Sequence, residues 1–431
     1  MSLLGAMNTA ITGLNAQSAA FSNIGDNVAN SQTTGFKAVN TRFEDYLTTS
    51  TAAVNMSGSV VATPDYQNNV QGTVVQSSDT LGLAITGQGF FPVSQNTGTA
   101  NGTPVFSPVP EYTRAGDFRL DKNGYVVNGA GQYLNAWAVD SKTGVVNRTQ
   151  LSPVQIAQNT YSPVPTSTVT LAANLPATLP PGTTSLPSQA TVYDRLGNAQ
   201  TVGLSWTQTA PGQWNVSFSS ANATPPALGT ASVSFATTGA AAGTISGITD
   251  TSGTAVPNAP GQPAQFNLPV AFPGSGPQTI ALNLGTFGQA NGLTQFAGTD
   301  ISIRSLTQDG VPSGSFTGLT TNSNGDLIAN YSNGQNQTLA RVPVVTFADP
   351  NALQRQNGQG FTQTVSSGGA LAQDANTNGA GALVTNSVES SNVDIAQEFS
   401  KLIVAQRAYS ANTKLVTTAD QLLQDTINMK Q

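Results

Sequence analysis

Large apolar side chains recur at steps of three, four or seven near both ends of this chain. Between Ser391 and Lys430 they are Ile395, Phe399, Leu402, Tyr409, Val416, Leu423 and Ile427, and no Gly or Pro occurs from Ala382 onward. That spacing holds one apolar seam on one side of a helix. Ser391-Asn392-Val393-Asp394 predicts its start, with Ser391 as the cap and Asp394 reaching back. At 1.5 Å per residue the helix would run roughly 55–60 Å. Its seam is narrow, because Gln406, Thr413 and Asp420 fill alternate heptad slots where a self-sufficient coiled coil carries Leu or Ile.

The segment from Ser2 to Asn30 has the same character. Leu4, Met7, Ile11, Leu14, Phe21 and Val28 form one stripe, weakened at Ser18 and Gly25. No charged side chain occurs before Asp26, so the other face is Asn, Thr, Gln and Ser. An amphipathic helix lying on a globular core would show a similar stripe. Two narrow seams flanking a β-rich middle are best served by pairing with each other and with copies from neighbouring subunits.

The middle alternates with period two. Leu81, Leu83 and Ile85 precede a Gly87-Gln88-Gly89 bend and the Phe90-Phe91 pair. No third Gly and no helix follow, so the bend is a turn rather than a nucleotide loop. Phe118 and Leu120 lead to Asp121-Lys122-Asn123-Gly124, then Tyr125 and Val127 continue. Asn-Gly between alternating apolar residues predicts a hairpin, and the acidic residue that a calcium loop needs downstream is absent. A second β unit follows the prolines of 153–187, with Val202, Leu204 and Trp206 answered by Trp214, Val216 and Phe218 across Ala210-Pro211-Gly212-Gln213. The Ala/Gly/Thr/Pro-rich part from 221 to 262 reads as irregular, loop-rich surface. Asp326-Leu327-Ile328 and Tyr331-Ser332-Asn333-Gly334-Gln335 predict a further hairpin, and Leu339 to Phe347 a strand. The Ser/Thr/Gly/Asn-rich stretch 48–72 reads as a connector ordered only on assembly, and 358–381 as a second, flexible one. The fold class expected is α+β and multidomain: long terminal helices pairing in a coiled-coil-like manner, with two nested all-β domains between them. Residues 1–30 plus 391–431 would form the helical assembly domain and 31–75 plus 358–390 the connectors. Residues 76–157 plus 301–357 would form an inner β domain and 158–300 an outer one.

Several motifs resemble a known family. Ala29-Asn30-Ser31-Gln32-Thr33-Thr34-Gly35-Phe36-Lys37 is similar to the signature that follows the first helix of bacterial flagellar axial proteins, the rod, hook and hook-associated family. Ser391-Asn392-Val393-Asp394, Glu398-Phe399 and Gln406-Arg407-Ala408-Tyr409-Ser410-Ala411-Asn412 resemble its C-terminal motif. Residues 80–91 and 112–118 resemble the first β domain of hook and distal-rod members, departing at Gly82 where the family usually has Asp. Thr191 to Asn198 resembles the segment opening the outer domain of hook members, an insertion that rod members lack.

The resemblance implies a structural hook subunit that polymerises into a curved, flexible tube acting as a universal joint. Its helices would line the channel, and it would be exported without a cleaved signal to an extracellular position. It implies a distal rod protein, a hook cap, a hook-length control protein and a hook–filament junction protein as partners. The alternatives are a distal-rod or junction subunit and, from another class, a secreted adhesin or carbohydrate-active β protein.

Composition narrows the chemistry. Lys and Arg total 15, Asp and Glu 21, with net charge −6, and the few cations are scattered, which argues against nucleic acid and anionic lipid as partners. Cys and His are both absent, which removes disulfides, thiolate ligands and every Ser-His or Cys-His arrangement. No paired-carboxylate motif of a glycosidase stands out. No cofactor, metal or catalytic residue is expected. The first residues lack the basic start and continuous apolar run of a signal peptide, and no stretch is apolar enough for membrane insertion.

Overall fold

The computed structural model describes residues 3–50, 55–100, 102–140, 143–157, 159–179 and 182–429; at 3, 4, 47–50 and 55–57 it describes the backbone alone. The expectations at 51–54, at Lys430 and for the Leu4 side chain fall outside that description. The chain divides into two compact units. The first combines residues 1–158, 318–330 and 336–431, and the second 159–317 and 331–335.

In the first unit, helix α1 (Leu3–Ala29) is followed by a long antiparallel hairpin of β1 (Val39–Ser50) and β2 (Asn55–Tyr66). The Ser/Thr-rich connector expected here is therefore a two-stranded ribbon. An isolated ribbon is marginal in water, and this one is stitched along α1. Asn8 donates to Gly58 O at 3.1 Å, Thr12 Oγ1 accepts from Val60 N at 3.1 Å, and Asn23 donates to Thr41 Oγ1 at 2.8 Å. Asn27 exchanges two hydrogen bonds of 2.9 Å with the backbone of Val39. The uncharged polar face of α1 thus satisfies backbone and hydroxyl groups of the ribbon.

The β-sheet of this unit is built from two distant stretches. Gln132–Val139 pairs with Phe91–Ala100 and with Asn336–Arg341, while Glu111–Thr113 bridges Phe91 to Gly360–Thr362. Phe90 meets Phe361 edge-on at 5.4 Å, and Phe91 meets Phe118 at the same distance, with Leu83, Ile85, Leu134 and Val344 fully buried nearby. Leu83–Thr86 pairs with Ala382–Thr385, and Val74–Gln76 with Ser387–Glu389. The second expected connector therefore carries strands too, because its apolar residues Phe361, Leu383 and Val388 find partners far away in sequence. The strand expected from Leu339 to Phe347 is broken into Asn336–Arg341 and Val344–Thr346 around Pro343, which has no N–H for a ladder.

One turn recurs through both units. In Asp121, Asn128, Asp194, Asp250 and Asn322 the side-chain Oδ1 accepts from the backbone N–H two and four residues on. The Gly at the fourth position (Gly124, Gly131, Gly197, Gly253, Gly325) has φ between 79° and 84°. An Asx acceptor followed by a left-handed Gly closes each turn locally.

The second unit is a pair of five-stranded sheets sharing one core. One is a meander of Leu186–Tyr193, Ala199–Ala210, Gln213–Ser219, Ala227–Phe235 and Ile245–Thr249. The other holds Thr168–Pro176, Pro263–Phe272, Gly276–Thr286, Thr294–Phe296 and Ser302–Gln308. Trp206, Trp214 and Phe218 pack against residues such as Phe266, Leu171 and Leu282 from the other sheet. One boundary and one loop expected from sequence change. Ser302–Gln308 pairs antiparallel with Thr168–Pro176 and belongs to this unit, not to the inner one. The stretch 221–262 supplies two meander strands, burying Ala231, Val233, Phe235, Ile245 and Ile248, so it is not simply loop.

Candidate assembly site

Helix α2 (Ile395–Asn428) begins four residues later than Ser391. Asp394 is its N-cap, accepting from Ala396 N at 2.9 Å and Gln397 N at 3.2 Å, while Ser391 Oγ accepts from Val393 N in the preceding turn. A carboxylate at this position also suits the positive end of the helix.

α1 and α2 run in opposite directions beside one another. Asn27 donates to Glu398 Oε2 at 3.2 Å, Phe21 and Tyr409 meet edge-on at 6.2 Å, and a Cβ on Gly13 would lie 3.0 Å from the Asn412 amide. Among the described residues of the two helices, Ile24 is the one large apolar side chain that is buried. The buried residues of α1 are Ala10, Ala16, Ala20, Ile24 and Asn27, and those of α2 are Glu398, Ala405 and Ala419. Of the expected seam, Met7, Leu14, Phe21 and Val28 are half-buried, as are Leu402, Val416 and Leu423. Ile11, Ile395, Phe399, Tyr409 and Ile427 are exposed, with Phe399 at 52% and Ile427 at 64%. Ile403, Val404, Leu415 and Leu422 are likewise exposed on α2. The buried positions are thus mostly small, and many of the larger apolar residues of α2 are left exposed.

Below the helices, both chain segments are tied to the β-sheet by a buried polar cluster. Glu389, fully buried, receives Lys37 Nζ at 2.5 Å and Gly72 N at 2.7 Å on one oxygen, and Arg114 at 3.0 Å on the other. Lys37 also donates to Val70 O at 2.6 Å, and Arg114 to Gly87 O at 2.7 Å and Ile85 O at 3.2 Å. Burial holds the Lys37 ammonium well below its ordinary range, to about 8, in spite of Glu389. Burial lowers Arg114 and Arg355 as well. Arg355 donates to the backbone oxygen of Lys37 and stacks its guanidinium over the rings of Phe36, Tyr66 and Phe361, at 5.5, 5.3 and 5.9 Å from their centroids.

The remaining signature residues meet here. Asn392 Oδ1 accepts from Ala38 N at 2.7 Å, and its amide donates to Gln67 O and Val70 O. Asn30 closes α1 by donating to Asp26 O and accepting from Thr33 Oγ1. Gly35 has φ 70°, donates to Glu389 O at 2.8 Å, and a Cβ there would strike the backbone of Ala115 at 2.4 Å. Val393 is half-buried beside them, while Ala29, Gln406 and Arg407 are exposed and join no part of this cluster.

Four family descriptions match in chain order. They are "Flagella basal body rod protein" over 7–37, "Flagellar hook protein FlgE/F/G D1 domain" over 84–172, "Flagellar basal body protein FlaE D2 domain" over 157–311, and "Flagellar basal body rod FlgEFG protein C-terminal" over 384–429. The flagellar hook protein FlgE of Brucella suis biovar 1 is 32% identical over 435 residues, covering 100% of both chains. This chain belongs to the flagellar hook protein FlgE family. The FlgE of Escherichia coli K12 is 27% identical over 443 residues, covering 99% of this chain and 100% of its own. The crystal structure of Helicobacter pylori hook protein FlgE2 aligns with TM-score 0.49 and 14% identity, covering 73% of this chain and 100% of that one.

Within this hook-family chain, several residues of the buried cluster escape the sequence reading. Glu389, Arg355 and Asn27 lie far apart in sequence and fall in no period, and Arg114 is marked only by the resemblance of 112–118. For Glu389 and Arg355 the mark is that charges are rare here, so a charged residue inside an otherwise polar-neutral or apolar stretch is a candidate for burial with a partner.

Proposed function

We propose that this chain is the structural subunit of a flagellar hook, polymerising into a flexible helical tube outside the cell that transmits torque from motor to filament. The observation that supports this most directly is the outward-facing apolar set on α1 and α2, from Ile11 to Phe399, Ile403, Leu415 and Leu422. A helix pair that leaves so many large side chains in water is incomplete as a monomer. Each buried Å² would contribute on the order of 25 cal/mol when a neighbouring copy covers it. Contacts between non-equivalent faces that do not close into a ring give an open helical assembly.

The terminal helices would pair as part of a larger coiled-coil-like layer contributed by many copies. Lys37, Glu389, Arg114 and Asn392 would hold those helices in a fixed direction relative to the inner β-sheet. The second unit, with polar Ser, Thr, Asn and Gln on its outward strand positions, would supply wet contacts that exchange at low cost as the tube bends. Its presence supports a hook subunit over a rod subunit. The role is structural rather than enzymatic, with export that leaves no cleaved leader. Contacts with distal rod, hook cap, hook-length control and hook–filament junction proteins follow from that place in the flagellum. Electron microscopy of the purified chain, and of cells from which it is deleted, tests the reading. Bent tubes from the protein and hookless basal bodies in the deletion support it, whereas dispersed monomers and intact hooks refute it.

A further inference from the structure

A groove of about 520 Å³ runs between α1, β1 and the first half of α2. Its lining includes the small side chains Ala20, Ala405 and Ala408, with Ile24 buried and with Phe43 and Val404 both exposed. Lys401 sits within it, bonded to Glu398 at 2.6 Å and to Asn40 at 2.7 Å. Arg407, exposed, lies one helical step from Val404. The groove thus offers apolar surface at Ile24, Phe43, Val404 and three alanines, its Lys401–Glu398 pair is internally balanced, and Arg407 adds a positive charge beside it.

The farther part of α2 has the complementary character. Leu415, Leu422 and Met429 are spaced by seven and are 61%, 50% and 88% exposed, forming a stripe that α1 leaves uncovered. Residues 415–429 contain Asp420 and Asp425, both exposed, and no Lys or Arg. The two features lie on one helix and cannot meet within a copy.

We infer that the groove of one copy takes the 415–429 stripe of α2 from a second copy. This rests on the reading of the chain as a polymerising hook subunit and names one contact of that polymer. With the two α2 helices pointing the same way, Leu422 enters between Phe43 and Val404 and over Ala408. Asp425, one turn further, then faces Arg407. Because donor and acceptor surfaces differ, each copy keeps one free groove and one free stripe, and the contact propagates rather than closing.

The chain contains no cysteine, so an engineered pair reports this contact without background. Ala408→Cys and Leu422→Cys in the same chain are 14 residues apart on one helix, roughly 21 Å, beyond the span of an internal disulfide. Oxidised polymer of the double variant is expected to give a ladder of covalent oligomers on a denaturing gel. Polymers of either single variant are expected to give at most a dimer, and mixed single variants a dimer of one of each. Polymer that sediments normally but shows no cross-linking beyond that of the single variants overturns the inference. A charge exchange gives an independent readout. Arg407→Asp and Asp425→Arg alone are each expected to raise the concentration needed for sedimentation several-fold, and together to restore it. Absence of restoration also overturns the contact. Failure of the unaltered chain to sediment under every condition would instead strike at the hook reading, and the contact would fall with it.

Discussion

Glu389 faces two cations, Lys37 and Arg114, where water does not reach. Removing its charge strands both. Glu389→Gln is therefore expected to destabilise the first unit by about 3–5 kcal/mol, read as a lower midpoint in chemical denaturation. Lys37 responds to pH in a direction opposite to an ordinary ion-paired lysine. Its folded pKa of about 8 lies below its usual 10.5, so between those values the unfolded chain holds more protons than the folded one. Its contribution makes unfolding harder as pH rises from about 8 to 10, by up to about 3 kcal/mol. The difference in stability between the natural chain and Lys37→Met, followed by denaturation at pH 7 and pH 10, is expected to move in favour of the natural chain at the higher pH. At this scale the sequence is only partly legible. Gly35, Lys37, Asn392 and Asp394 stand out through resemblance, yet nothing near Lys37 in sequence announces that Glu389, 352 positions away, is its partner.

Elements are more legible than contacts. The period of three and four marks both helices, and Asn-Gly marks the turns at Gly124 and Gly334, because these are local signals. The start of α2 moves from Ser391 to Asp394 because either residue can cap, and the strand pairing of Ser387–Glu389 with Val74–Gln76 keeps the preceding backbone extended. Asp394→Ala is expected to cost about 1 kcal/mol, visible as faster amide exchange in the first turn of α2. The ribbon of β1 and β2 escapes the sequence reading because its Ser- and Thr-rich strands lack an alternating apolar face. It is held instead by Asn and Thr side chains of α1, so Asn27→Ala is expected to loosen Val39 and its neighbours without unfolding the β-sheet. Stretch 221–262 misleads for a related reason: its many Ala, Gly and Thr residues mask the alternation of Ala231, Val233 and Phe235.

On the scale of the molecule, the second unit has a natural cut point. Val164 and Val311 exchange hydrogen bonds of 2.9 and 2.8 Å, the geometry that flanks a tight hairpin. Replacing 165–310 by Asn-Gly is expected to leave a chain that still assembles, into tubes of altered curvature. Complete loss of assembly would oppose the division of labour between the units. Multidomain α+β organisation can be read from the order of periodic segments, but the membership of Ser302–Gln308 cannot, since only pairing across the sheet assigns it. The central claim is that α1 and α2 leave apolar faces open for other copies. Electron cryomicroscopy of the polymer, at a resolution that shows side chains, tests it most directly. The account predicts Phe399, Ile403 and Leu415 of each subunit buried against helices of neighbouring subunits; the same residues facing open solvent in an intact polymer would contradict it.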